Sequence, residues 1–317
     1  MNKHIKKILG VLSIMVVGIL LIGCTVEDEG GGDAGSGEGT GGVGFSISTL
    51  NNPFFVSMAD GAEAQAEEMG VDLTVVDAGN DTAKQSTDIE DLINTGIEVL
   101  IVNPEDSASV GPAVQSAIDQ GIYVIAVDRE VEDAEVDTLI GTDNEEAAQS
   151  AGEELLTYLE EDDEIAILEG VPGASSAIDR NQGFLNALEG NANIVASQTA
   201  NFDRTEGLTV TENLLQAHPD LRAVVAANDE MALGAIEAIN GSGRVAGEDV
   251  LVTGFDANDD AIDAVSEGSM LLTVEQQPDQ MGEVAIQTAQ DLLDGEDVDS
   301  EIPSDVTVLD AETLENR

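Results

Sequence analysis

The sequence predicts an α/β fold built on doubly wound parallel sheets, and three observations predict it. Short, apolar, β-branched runs alternate with longer amphipathic stretches from Val43 onward. The runs are mostly continuous rather than alternating, as strands buried on both faces require. Polar residues recur at or just past the ends of these runs, the edge at which open parallel sheets bind small molecules. With 317 residues and 42% hydrophobic content, the chain has material for roughly two domains with their own cores.

Before the first strand the chain reads as an export segment. Lys3, Lys6 and Lys7 precede an apolar run over 8–22, and Leu21-Ile22-Gly23-Cys24 matches a bacterial lipobox. The run falls short of the roughly 20 apolar residues that span a bilayer, so 1–23 is expected to be a lipoprotein signal peptide and Cys24 the lipidated residue. Cys24 is the only cysteine, which excludes a disulfide within the chain. Residues 24–42 are rich in Gly and acid and cannot bury a core, so they are expected to tether a folded body to the membrane.

Charge narrows the function further. The 65 Asp and Glu residues against 10 Lys and Arg leave a formal charge of −55, and no basic cluster exists beyond the first seven residues. Neutralising phosphates needs clustered Lys and Arg, so a nucleic-acid partner is excluded. Lys84 is the only lysine after position 7, a lysine-poor acidity that resembles proteins adapted to high salt. "DANDDA" at 256–261 has oxygen spacing like a calcium loop but places Ala261 where the turn demands Gly, so no metal is expected.

The strands are expected at 43–48, 71–78, 97–103, 122–128, 164–170, 193–200, 221–229, 249–256 and 270–276, each rich in Val, Ile or Leu. Helices are expected between them at 54–69, 85–95, 109–120, 144–159, 177–188, 205–217, 230–240 and 279–293. Asn52 fits an N-cap with Pro53 at the first helical position, where a missing N–H costs nothing.

Following the strands come Asn52, Asn103, Asp128-Arg129, Asn228-Asp229, Phe255-Asp256 and Gln276. Any one alone would read as loop polarity or a helix cap; the same topological position shared by all of them points to a binding edge. "STLNNPFF" at 48–55 adds two of the chain's six phenylalanines on one turn.

That segment, with "NPEDSASVGPAV" from Asn103, "VIAVDRE" from Val124, "ANFDR" from Ala200, "AHPDLRAVVAANDEMALGAIEAI" from Ala217, "GFD" from Gly254 and "PDQMG" from Pro278, resembles the D-ribose-binding proteins of ABC sugar importers. These are periplasmic-binding-protein-like members of the LacI-type sugar-binding family. The resemblance spans 44–309. It implies a type I periplasmic binding protein fold: two doubly wound parallel-sheet lobes joined by a three-strand hinge, closing over one sugar. The implied lobes are 43–142 plus 277–304 and 143–276 plus 305–317, with crossings near Thr142, Gln276 and Asp305.

Carried over position by position, the family's pocket falls on Asn52, Phe54, Phe55, Asn103, Asp128, Arg129, Arg180, Phe202, Asn228, Phe255, Asp256 and Gln276. The chemistry agrees, since a pyranose offers apolar C–H faces to aromatic platforms and a hydroxyl rim to amide, carboxylate and guanidinium groups. Phe45 and Phe184 are expected in the core; Phe54 and Phe55 are expected at the sugar, because two adjacent rings cannot both follow one helix stripe. "GVPGASSAIDR" carries Pro172 and Ser176 near positions where the family often has Ala.

The resemblance implies a monomeric, extracytoplasmic solute receptor. It would hand D-ribose, or another small sugar such as allose, xylose or a furanosyl signal molecule, to ABC permease subunits. No cofactor is implied. An enzyme fits poorly: past the export segment only His218 is a histidine, the sole cysteine is assigned to the lipid, and no Walker motif appears. A sugar-sensing repressor would need a basic helix-turn-helix where this chain has a lipobox and an acidic linker.

Overall fold

The structure is a computed structural model that describes residues 42–160 and 162–316. The expected signal peptide, the lipidated Cys24 and residues 24–41 of the tether lie outside the described residues.

The first half of the chain lays down β1 (Val43–Ile47), α1 (Pro53–Met69), β2 (Leu73–Asp77), α2 (Thr82–Thr95), β3 (Val99–Val102), α3 (Gly111–Asp119), β4 (Tyr123–Val127) and β5 (Thr138–Gly141). It continues with α4 (Asn144–Leu156), β6 (Glu164–Glu169), α5 (Ser175–Leu188), β7 (Asn193–Thr199), α6 (Arg204–Ala217), β8 (Leu221–Ala226), α7 (Asp229–Gly241) and β9 (Leu251–Thr253). The chain closes with α8 (Asp259–Glu267), β10 (Leu272–Glu275), α9 (Pro278–Leu293), β11 (Glu301–Pro303), β12 (Thr307–Asp310) and α10 (Ala311–Glu315).

The strands form two six-stranded sheets, ordered β11-β5-β4-β3-β1-β2 and β12-β10-β9-β8-β6-β7. All described pairings are parallel except β10 with β12. In both sheets the order reverses direction once, between β1 and β3 and between β6 and β8, which opens a crevice at the carboxyl ends of those strands. The backbone passes from one sheet to the other between β5 and α4, between β10 and α9, and between β11 and β12. We call each sheet with its flanking helices a lobe; the first holds α1, α2, α3 and α9, the second the remaining helices.

Central strands such as β1 and β3 are buried at every position, which is why their sequences are continuous apolar runs. The first lobe has a core on each sheet face, one built around Phe45, Met58 and Ile286, the other around Ile89, Leu100 and Val114. The second lobe has one contiguous core that includes Phe184, Leu155 and Val252. Helices pack in close pairs through glycine. A Cβ on Gly61 of α1 would lie 2.2 Å from the Asp279 carbonyl of α9, and one on Gly234 of α7 would lie 2.1 Å from the Arg204 carbonyl of α6. Asx side chains start most helices: Asn52, Asp81, Asp143, Asp203, Asn228 and Asn258 each accept from a backbone N–H at the second or third helical position.

Several elements exceed the sequence expectation. β5, β11 and β12 are only three or four residues long and lack an extended apolar run, and α8 begins inside the acidic 256–261 segment, where Asn258 caps it through the Ala261 N–H at 2.9 Å. Asp259 and Asp260 of that segment form the first turn of α8, whereas Asp256 precedes the helix. α10 closes the chain with a capping box between Asp310 and Thr313.

Candidate functional site

The carboxyl ends of the strands of both sheets converge on a small cavity. It is lined by Asn52, Phe54, Phe55, Asp128, Arg129, Ser176, Arg180, Phe202, Asn228 and Asp256. Nine of the twelve residues anticipated from sequence are thus brought together, from both lobes. Asn103, Phe255 and Gln276 do not line it; each is buried and touches a residue that does. The cavity measures about 10 Å³, at the threshold for one water.

Asn52 ends the β1–α1 loop, where its Oδ1 accepts from the Phe54 N–H at 2.9 Å and starts α1. That cap sets the direction of the first turn, so Phe54 and Phe55 follow at once. Their rings meet edge to face, with centroids 5.3 Å apart and planes at 85°. Both are buried and also pack in the core of the first lobe. Expected at the sugar, both rings line the cavity, and at the helix start they share one T-shaped cluster that also packs against the core of the first lobe.

Asp128 and Arg129 follow β4. Asp128 takes φ +65°, a left-handed backbone that is uncommon outside glycine. Its Oδ2 accepts from Asn103 Nδ2 at 3.3 Å and lies 3.5 Å from Arg129 Nε, whereas its buried Oδ1 has no hydrogen-bond partner. Asn103 is fixed in turn: its Oδ1 accepts from Ser48 Oγ at 2.6 Å and its Nδ2 also donates to the Val127 carbonyl at 3.1 Å. Arg129 donates from Nη1 to the Pro104 carbonyl at 2.7 Å, with Glu105 Oε2 at 3.8 Å. Its guanidinium lies 5.1 Å from the Phe55 ring centroid and 5.7 Å from that of Phe202.

The second lobe presents a matching arginine. Arg180 of α5 donates from Nε to Asn144 Oδ1 at 2.7 Å and from Nη1 to the Ala227 carbonyl at 2.8 Å, with Asp256 Oδ1 at 3.5 Å. It stacks over Phe255 at 3.8 Å and lies 5.7 Å from Phe202. Phe255 is therefore a platform for a guanidinium rather than a wall of the cavity. Phe202 sits between both arginines with φ +56°, and Gly170 makes room for it, since a Cβ there would lie 2.1 Å from Phe202 Cζ. Asn228 accepts from the Met231 N–H at 3.0 Å and caps α7 while lining the cavity, so its structural and site roles coexist.

Asp256 takes φ +117° after β9 and accepts from Gln276 Nε2 at 2.8 Å; Gln276 Oε1 in turn accepts from Thr142 Oγ1 at 2.9 Å. Thr142 and Gln276 stand at two of the three crossings, so a cavity carboxylate is hydrogen-bonded directly into the hinge. Three of the seven non-glycine residues with positive φ among the described residues, Asp128, Phe202 and Asp256, line the cavity.

Burial dominates the electrostatics. It pushes the Asp128 carboxyl up, against the opposing pull of Arg129, Arg180 and the Asn103 hydrogen bond, and it pushes the Arg129 guanidinium down, against Asp128 and Glu105. Burial raises Asp256 to about 7, with Arg180 opposing and Asp128 assisting. Asp229, behind it, is also pushed well up by burial, while Thr273 Oγ1 and the Asn258 N–H donate to its carboxylate at 2.7 and 2.8 Å. Such a site offers donors, acceptors and aromatic faces but no nucleophile poised against a base. These groups match the hydroxyls and C–H faces of a neutral polyol in chemistry.

Sequence reasoning missed Asn144, which orients Arg180 and sits just past β5, a strand too short to be anticipated. Gln85 was also missed: it is buried, donating to the Asn103 carbonyl and accepting from the Glu105 N–H, both at 2.8 Å, and so holds the β3–α3 loop from inside α2.

A profile of the periplasmic binding protein domain matches residues 43–297. The ribose import binding protein of Bacillus subtilis (strain 168) is 46% identical over 260 residues, covering 82% of this chain and 84% of its own length. That of Escherichia coli (strain K12) is 42% identical over 264 residues, covering 83% and 88%. A solved structure of an ABC transporter periplasmic solute binding protein from Actinobacillus succinogenes 130z with bound D-allose superposes with a TM-score of 0.80. It is 32% identical and covers 87% of this chain and 100% of that one.

The raised Asp256 carboxyl makes stability depend on pH. In the unfolded chain this group titrates near its ordinary value of about 4, so its protonated form contributes to folded stability fully below that pH. The contribution is lost as pH rises through about 7. Asp256→Asn removes the titration. Urea unfolding of both proteins from pH 4 to 8 is expected to show the variant gaining relative stability as pH rises; parallel curves would mean that Asp256 does not titrate in that window.

Proposed function

The chain belongs to the periplasmic binding protein domain family, and we propose that it is an extracytoplasmic receptor that captures D-ribose between its lobes for an ABC-type permease. The supporting observation is the shared cavity: Phe54, Phe55 and Phe202 wall it, Arg129 and Arg180 enter it from opposite lobes, and the buried Asp128 Oδ1 awaits a donor. A ribose ring would set its C–H faces on the phenylalanines and its hydroxyls against these charged groups, where charge-assisted hydrogen bonds are strongest. The protein performs no bond chemistry. At about 10 Å³ the cavity is far below the several hundred Å³ usual for a ligand pocket, so the lobes must part to admit a sugar and settle around it with the cleft wider than it is here. We take the lobes as 43–142 plus 277–304 and 143–276 plus 305–317, moving about the three crossings and acting as a monomer.

A second reading, D-allose, is favoured by the allose-bound neighbour described above. Calorimetry against pentoses and hexoses separates the two. D-ribose is expected to bind more tightly than allose, glucose and galactose; a hexose binding tenfold tighter than ribose would reject the ribose reading. Arg129→Ala is expected to weaken ribose by about 2–5 kcal/mol, because it strands Asp128 and the Pro104 carbonyl in a closed cleft. His218→Ala, beside Glu164 on the far side of β6, should leave affinity unchanged.

We assign Cys24 the lipid anchor and 1–23 the signal peptide. Cys24→Ala expressed in a bacterial host is expected to move the protein from the membrane to the soluble fraction with sugar binding intact; retention on the membrane would point to an uncleaved helix.

The acidic surface we read as an adaptation to high salt. Charges that repel across a screening length of about 30 Å at 0.01 M salt are screened within about 3 Å at 1 M. Melting temperature is therefore expected to climb steeply with NaCl, while ribose affinity, resting on short enclosed contacts to a neutral ligand, changes little. A flat melting curve would discard this reading.

A further inference from the structure

Ser107, in the β3–α3 loop of the first lobe, is fully buried yet does not line the cavity. Its N–H donates to the Gly173 carbonyl of the second lobe at 3.0 Å, and its Oγ accepts from the Ser175 N–H at 3.2 Å. Ser175 answers in the other direction, its Oγ accepting from the Glu130 N–H of the first lobe at 2.9 Å. The Ser107 carbonyl accepts from the Glu132 N–H at 2.8 Å, which ties this loop to the segment that follows Arg129.

The pairing replaces a helix cap. Ser175 opens α5, whose N-cap position is Ala174 and offers no side-chain acceptor. The first N–H groups of a helix have no partner within it, and here the acceptor for one of them comes from the opposite lobe. α5 is also the helix that carries Ser176 and Arg180 to the cavity. Gly173 lets the lobes approach: its φ is +93°, and a Cβ there would lie 2.1 Å from Asp106 Oδ2.

We propose that Ser107, Gly173 and Ser175 form a closure latch that sets the affinity for every ligand of the cleft without touching any of them. The inference rests on the reading of the cleft as a ligand site that opens by lobe movement. Hydrogen bonds made only when the lobes meet bias the open-to-closed equilibrium, and a change in the fraction of the binding-competent state multiplies all apparent dissociation constants by one factor. A residue that contacts the sugar changes them unequally.

The test titrates Ser107→Ala and Ser175→Ala by calorimetry against D-ribose and every other sugar in a pentose and hexose panel that the unaltered protein binds. Each variant is expected to weaken all ligands by a common factor of about 3 to 10, with the ligand-free melting temperature unchanged. Unchanged affinity, a shifted preference among sugars, or a loss matched by a lower melting temperature would each overturn the latch. Hydrogen exchange reads it in the closed state: with saturating D-ribose the Glu130 amide is expected to exchange faster in Ser175→Ala than in the unaltered protein, and unchanged exchange overturns the proposal. If no sugar in the panel binds the unaltered protein, the sugar reading fails and the latch falls with it, whereas the outcomes above reject the latch alone.

Discussion

Two guanidinium groups buried between two sheets set the terms for the rest of the molecule. A charge taken out of water is costly unless it is paired and hydrogen-bonded, and Arg129 and Arg180 are both buried. Each is therefore surrounded by a shell that serves it. Arg129 has the Pro104 carbonyl, Asp128 and Glu105; Arg180 has the Ala227 carbonyl, Asn144 and Asp256. Phenylalanine rings close the remaining directions, with Phe202 facing both arginines. In a chain so poor in basic residues, this places cations where their opposite numbers are carboxylates that themselves resist ionisation through burial.

The same shell runs from the cavity to the crossings between the sheets. Asp256 faces Arg180 on one side and Gln276 on the other, and Gln276 reaches Thr142 at a neighbouring crossing. A hydrogen bond formed at Asp256 is thus one side chain away from the crossings that join the two sheets. Arg204 plays a comparable part at the rim. It pairs with Glu230 and Asp260 at 2.8 and 2.9 Å, linking the start of α6, just after Phe202, to α7 and α8. Its partners hold the guanidinium charged, above its ordinary range.

The reading from sequence was strongest where local rules and burial agree. β1, β3, β4 and β8 are apolar runs because both faces are covered, and the helices between them follow from Asx caps and amphipathic spacing. It was weakest at the sheet edges. β5, β11 and β12 are short and carry few apolar residues, so nothing in their composition separates them from loops, yet they border the crossings on which the two-lobe arrangement depends. Missing β5 also hid Asn144, and with it the hydrogen bond that aims Arg180.

What the sequence determined by itself was the set of chemical types at the strand ends: aromatic, amide, carboxylate and guanidinium, at positions that resemble a sugar pocket. Which of them would wall the cavity, and which would hold another in place, was decided only by the tertiary structure. Phe255 and Phe202 are the same residue type after two strands of one sheet, β9 and β7, but one lies under Arg180 and the other lines the cavity. Asn103 and Asn228 likewise divide between supporting Asp128 and facing the cleft. Composition and spacing act along one chain, whereas these roles depend on distances between residues up to 134 positions apart, as for Thr142 and Gln276, and those exist only once the two sheets face each other.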